Sequence, residues 1–222
     1  MQVTFGDIVN SVATLVAAFA GAWFAFVYQN RQEAKEDTRQ NISAGNRALV
    51  TLFQQANSLK LYQIDMIEPH RDSPGRHIQM RPTLPFQEDS LSFDVKSLDF
   101  LLPDTAQVLL DLILEEARYH ETIKAINVRS QHHFAVVQPK LEKAGIVEGG
   151  EYSGQDFRNA LGELDYMNLK RLTDAVVLHV DRTIESLVSM KDRLWTALTH
   201  KYPKGKFINF EVLNEPPKSI FS

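Results

Sequence analysis

The chain has 222 residues, of which 44% are hydrophobic and 23% charged, with a net charge of −4 and no cysteine. That acidic balance argues against a duplex-binding surface, which ordinarily carries a basic excess, and the lack of Cys removes any disulfide framework. The length is enough for one domain with a sizeable core.

Residues 8–28 (IVNSVATLVAAFAGAWFAFVY) contain no charge, and about 20 apolar residues in a helix match the hydrocarbon thickness of a bilayer. The run predicts a transmembrane anchor over residues 1–30. It does not read as a signal peptide, because no Lys or Arg precedes it and it ends in Trp23, Phe24, Phe26 and Tyr28, where a peptidase needs small side chains. Such aromatics suit the membrane–water boundary. Ala13, Ala17, Gly21 and Ala25 recur every fourth position and give a small-residue face on which membrane helices approach. That face predicts a homo-oligomer. Asn10, Ser11 and Thr14 supply polar groups for a pore or for bonds between helices. Arg31, Lys35 and Arg39 follow the run and no basic residue precedes it, so the positive-inside rule puts the C-terminal part in the cytoplasm of a single-pass protein.

Residues 31–48 read as a polar helical stalk with charges of both signs, and Gly45 is the expected break. A cytoplasmic helical bundle then spans residues 49–205. Leu49, Leu52, Phe53, Ala56, Leu59 and Tyr62 give its first core-facing stripe. Residues 69–89 form a Pro-rich loop holding Pro69, Pro74, Gly75, Pro82 and Pro85. Its Arg71, Arg76 and Arg81, with His70 and His77, are a candidate anion site; the alternative is a mobile solvated loop. Residues 91–102 look like a docking segment, Asp104 a helix cap, and Val108 through Phe134 a long helix that Pro139 kinks. Ser153 caps a short helix to about Leu161, and the stripe from Leu169 to Leu198 gives another long helix that stops at Tyr202-Pro203. Residues 206–222 are an extended tail. The predicted fold class is all-α: one N-terminal transmembrane helix followed by an antiparallel cytoplasmic bundle of long helices.

Chemistry is sparse. Glu116 and His120 share a helix face, but no Cys, no His-Glu-x-x-His and no repeated Glu-x-x-His is present, so no metal is expected. No Gly-rich phosphate loop or Gly-x-Ser-x-Gly elbow occurs, and no cofactor is expected. Helical ribonucleases of the HEPN superfamily carry Arg, a short spacer, then His. There the His moves the proton of the 2′-hydroxyl and the Arg stabilises charge on the scissile phosphate. Arg193 and His200 fit with six residues between them, although Leu194 stands where that family commonly has a polar residue. The plain alternative leaves Arg193 solvated and His200 easing a helix C-terminus.

Several segments carry a resemblance: Phe19-Ala-Gly-Ala-Trp-Phe-Ala-Phe26 followed by Gln29-Asn-Arg31, Ser97-Leu-Asp-Phe-Leu-Leu102, Asn127-Val-Arg-Ser130, Gln138-Pro-Lys-Leu141, and Leu172-Thr-Asp174 with His179-Val-Asp181. With these the chain resembles a set of uncharacterised bacterial single-pass membrane proteins with a helical cytoplasmic domain. More distantly its layout resembles membrane accessory proteins of bacterial antiviral systems, including those beside RNA-targeting CRISPR nucleases. The resemblance implies an inner-membrane location, self-association, a HEPN-like domain and a soluble defence partner. The expected function is then an oligomerising inner-membrane protein that forms pores or disrupts the membrane in antiviral defence. The alternatives are a membrane-tethered HEPN-like ribonuclease using Arg193 and His200, or a non-catalytic scaffold for a soluble partner.

Overall fold

The computed structural model describes residues 5–86, 91–147 and 149–212, with side chains from residue 17 onward. The described residues contain helices and no strand. Helix α1 (Phe5–Tyr62) is unbroken over 58 residues, ~87 Å at ~1.5 Å per residue. Its two halves live in different surroundings. From residue 17 to residue 40 every residue except Val27 is exposed, whereas Ala44, Ala48, Leu49, Leu52, Ala56, Leu59 and Tyr62 are buried. The helix therefore leaves the bundle near Asn41 and projects ~54 Å beyond it. Gly45 does not break it. A Cβ there would stand 2.8 Å from a Leu198 methyl and 3.3 Å from the Phe207 ring, so the missing side chain serves close packing instead.

The membrane expectation is overturned: among the described residues no helix is long and apolar enough to cross a membrane. The physical reason is composition. Residues 17–28 hold five Ala, one Gly, a Trp and a Tyr, with no Leu or Ile, and charges begin three residues later at Arg31. The apolar part of the helix whose side chains are described is thus twelve residues long and rich in Ala and Gly, short of the ~20 apolar residues a span needs. The transmembrane anchor over residues 1–30, the single-pass inner-membrane location and the cytoplasmic placement derived from it are corrected together.

The all-α bundle itself is present. Helices α3 (Leu102–His132) and α6 (Glu163–Lys201) pack on each other, and α6 packs on α1. Cross-helix pairs fix the directions. Asp104 meets Lys201, Asp111 meets Arg193, Glu115 meets Ser186, Thr122 meets Thr183 and Arg129 meets Thr173, so α3 and α6 are antiparallel. Asn41 with Tyr202 and Gln63 with Asp181 set α1 antiparallel to α6 as well. The core between them is Leu112, Tyr119, Ile123 and Ile126 of α3 with Val176, Val180, Leu187, Met190, Leu194 and Leu198 of α6, against the buried face of α1. The buried hydroxyls of Thr122 and Thr183 satisfy one another at 2.8 Å.

After α1 a π-helical turn (Gln63–Ile67) and a 3-10 turn (Glu68–His70) lead to the short α2 (Arg76–Gln79). The Pro-rich segment, for which a mobile solvated loop is one of the two sequence readings, is anchored at particular side chains: Met80 is fully buried and His77 nearly so, while Leu84 stays exposed. Prolines deny it helical bonds, and side chains of α3 take over the accounting of backbone groups. Asn127 accepts from the Phe86 amide at 2.9 Å and donates to its carbonyl at 3.0 Å, while the Thr83 amide donates to Ser130 at 3.1 Å. A 3-10 turn (Val95–Leu101) then enters α3. Past α3 a π-helical turn (His133–Val137) passes into α4 (Gln138–Lys143), with Pro139 in its first turn, where a missing N–H costs nothing. Helix α5 (Gly154–Leu161) opens on the Ser153/Asp156 capping box, and Gly162, at φ +79°, makes the turn into α6.

Candidate functional site

The Arg193 guanidinium is ion-paired with Asp111 of α3, and that bond holds the Asp111 carboxyl below the usual carboxylate range. His200 is exposed in the last turn of α6. A step of seven residues sets the two ~10.5 Å apart along the axis. Within one chain Arg193 thus faces a carboxylate that sequence reasoning did not pair with it, and its ion pair staples α3 to α6.

The loop arginines Arg71 and Arg76 are likewise turned onto carboxylates. Arg71 meets Asp181 through two bonds of 2.7 and 2.9 Å and Glu68 through two of 2.9 Å. These forked bonds raise the Arg71 pKa further and depress those of Asp181 and Glu68. Arg76 bonds Asp174 at 2.7 and 3.1 Å. Arg71 and Arg76 thereby clamp the Pro-rich segment to α6. Arg81 offers its carbonyl to Arg129 at 3.2 Å.

Arg129 went unnoticed in the sequence as a functional candidate. Its side chain is fully buried, yet its hydrogen-bond acceptors are neutral: Thr173 Oγ1 at 2.9 Å and the carbonyls of Met80 and Arg81 at 2.5 and 3.2 Å. Burial pulls the Arg129 pKa down, with the neighbouring Tyr62 opposing. Burial also pushes the Tyr62 phenol up and His77 down, and burial with the Arg129 charge holds His133 at about 4. Its only signal in sequence was register, since Leu112, Tyr119, Ile126 and Arg129 continue one apolar stripe.

No group of three or more His, Cys, Asp or Glu among the described residues is arranged to hold a metal ion. Glu116 is 3.8 Å from His120 and accepts instead from the Phe93 amide at 3.1 Å. A polar hollow of about 480 Å³ at the base of the projecting helix is lined by Glu36, Arg39, Asn41, Arg47, Ser97 and Asp99.

The most unusual surface is the projecting helix. Phe19, Trp23, Phe24, Phe26 and Tyr28 are 59–72% exposed. At ~100° per residue Phe19, Trp23 and Phe26 share one face, and Ala17, Gly21, Phe24 and Tyr28 the opposite one. Ala25 is also exposed beside that second face. The side chains of Asn10, Ser11, Ala13 and Thr14 lie outside the described residues. No known protein family matches this chain, and neither a characterised protein nor a solved structure is similar to it.

Proposed function

We propose that this chain is a non-catalytic assembly protein whose copies associate through the projecting part of α1, with the bundle as its base. One observation carries the reading: five large aromatics on a helix that no other described residue covers. Each ring offers ~200 Å², so at two-thirds exposure the five present on the order of 700 Å² per copy. Two copies together exceed the ~1,000 Å² that a specific interface needs. Exposed aromatic surface of this extent, even divided over two faces, marks an interaction site. Because rings occupy both faces of the helix, one neighbour covers only part of them, which favours a helical cluster over a single pair. The following charges, Arg31, Glu33, Lys35, Glu36, Asp37 and Arg39, are balanced in sign and impose no net repulsion on neighbouring copies.

Sedimentation velocity of the full chain over a concentration series tests the reading. The wild-type chain is expected to associate, with the mass rising with concentration. The triple variant Phe19→Gln, Trp23→Gln, Phe26→Gln, which keeps good helix formers, is expected to sediment as a monomer. Ala17→Leu with Gly21→Leu is expected to weaken association by filling the small-residue face. A wild-type chain that stays monomeric at about 100 µM, which means an interface weaker than about 5.5 kcal/mol, overturns the proposal.

A further inference from the structure

Residues 206–212 lie across α1 and α6 as a bound peptide would. Asn46 of α1 donates to the Lys206 carbonyl at 3.0 Å and accepts from the Ile208 amide at 2.9 Å. One side-chain amide thereby engages the two backbone groups that flank Phe207, as a neighbouring strand would, and reads backbone alone. The Phe207 ring enters where Gly45 leaves room, 3.3 Å from the point a Cβ would occupy. Phe210 meets Phe53 edge to face at 4.9 Å between centroids. Lys191 stands 5.6 Å from the centre of the Phe210 ring, and its ammonium also donates to the Phe210 carbonyl at 3.3 Å.

The side chains of Lys206, Ile208, Asn209 and Glu211 are exposed, while Phe207, Phe210 and Val212 are half-buried against the main core. Recognition therefore asks for little: an extended backbone and two phenylalanines three positions apart. The segment has no strand partner, and Pro203, Lys204 and Gly205 separate it from α6. A segment held by three half-buried side chains and a few bonds opens far more readily than the core. Any segment that offers the same features competes for its place by mass action.

The geometry points to a peptide-recognition groove on α1 and α6 that binds an extended Phe-x-x-Phe segment of another protein, with this chain's own residues 206–212 occupying it as an exchangeable strap. The groove begins where α1 leaves the bundle, so a bound partner would sit at the foot of the projecting helix. This stands whether or not α1 itself associates.

The full chain carrying Phe207→Ala and Phe210→Ala loses both anchors of the strap but keeps Gly45, Asn46, Phe53 and Lys191. The probe is a fluorescein-labelled peptide of residues 205–212, followed by anisotropy. It is expected to bind the double variant at least about tenfold more tightly than the wild-type chain, whose groove is filled. Adding Asn46→Ala to the double variant should weaken binding about tenfold through the two lost bonds, with an unchanged melting curve. A peptide with both phenylalanines replaced by alanine should bind neither chain. Equal binding to both chains, no binding to the double variant, or unaltered amide-exchange protection of its residues 206–212 would each overturn the inference. So would cross-links in a mixture of isotope-labelled and unlabelled wild-type chains showing the strap seated on a second copy, because the occupant would then be the chain itself.

Discussion

Arg129 offers the sharpest test of what holds the bundle together. Replacing it with Met keeps most of the volume and removes a cation. It also removes three hydrogen bonds, to Thr173, Met80 and Arg81. At ~1 kcal/mol net for each bond the loss is ~3 kcal/mol, and a buried carbonyl left without a donor adds to it. The opposing term is the relief of a desolvated charge, worth up to several kcal/mol when no partner charge is stranded. Among the described residues Arg129 bonds no carboxylate, so none of them is stranded, and the neutral dipoles of three acceptors already stabilise the cation. We therefore expect the bonds to win, with a net loss of ~2 kcal/mol and a fall in Tm of ~4–8 °C for a chain of this size. Urea titration reads the net loss, and hydrogen exchange at residues 80–86 should show that segment freed first. A second readout is His133, held at about 4 by burial first and by the Arg129 charge second. Its pKa should rise in the variant yet stay below the ordinary 6.5, as followed by NMR. A variant as stable as the wild type, or more so, refutes the reasoning, because desolvation would then outweigh the bonds.

Because the folded chain keeps His133 neutral down to about pH 4, the unfolded chain binds the extra proton between there and 6.5. Acidification through that window should erode stability by up to ~3 kcal/mol, and His133→Gln should flatten the dependence in urea titrations at stepped pH. Gly45→Ala gains ~1 kcal/mol of helix propensity but crowds Leu198 and Phe207. The expected outcome is a net loss of ~1 kcal/mol with faster amide exchange at residues 207–210, and a stabilised variant with a protected strap would contradict it. Asn127→Ala should cost ~2 kcal/mol in a urea titration, since both backbone groups of Phe86 lose their partner.

The long stripes were legible because their period is local: the spacing from Leu169 to Leu198 alone sets the buried face of α6, and Ser153 sits three residues before the Asp156 that answers it. The Pro-rich segment was not, because its order comes from Asn127, Arg129 and Ser130, more than forty positions away in sequence. Proline density announces that a helix is impossible and says nothing of what replaces it. Residues 8–28 misled for a different reason. Length and freedom from charge alone suggested a span, whereas the described helix continues unbroken into the charged stretch from Arg31 and no described window is apolar enough to cross a membrane. The arginines misled in a third way, since Arg71, Arg76 and Arg193 looked free until the fold brought Asp181, Asp174 and Asp111 to them.

Asn46 and Asn127 use one device on two helices: a side-chain amide that both donates to and accepts from an extended backbone. The consequences differ because of what lies on either side of the held segment. The stretch at Phe86 sits between α2 and α3, and its neighbours Arg71 and Arg76 are clamped to α6, so its release would strain or undo contacts on both flanks. The stretch at Phe207 follows the end of α6 and is held by Asn46, Phe53 and Lys191, and releasing it leaves the three long helices in register. The same two bonds therefore close the core in one place and make a replaceable contact in the other. That asymmetry makes the groove at Gly45 and Asn46, rather than the one at Asn127, the part of the bundle suited to exchanging partners.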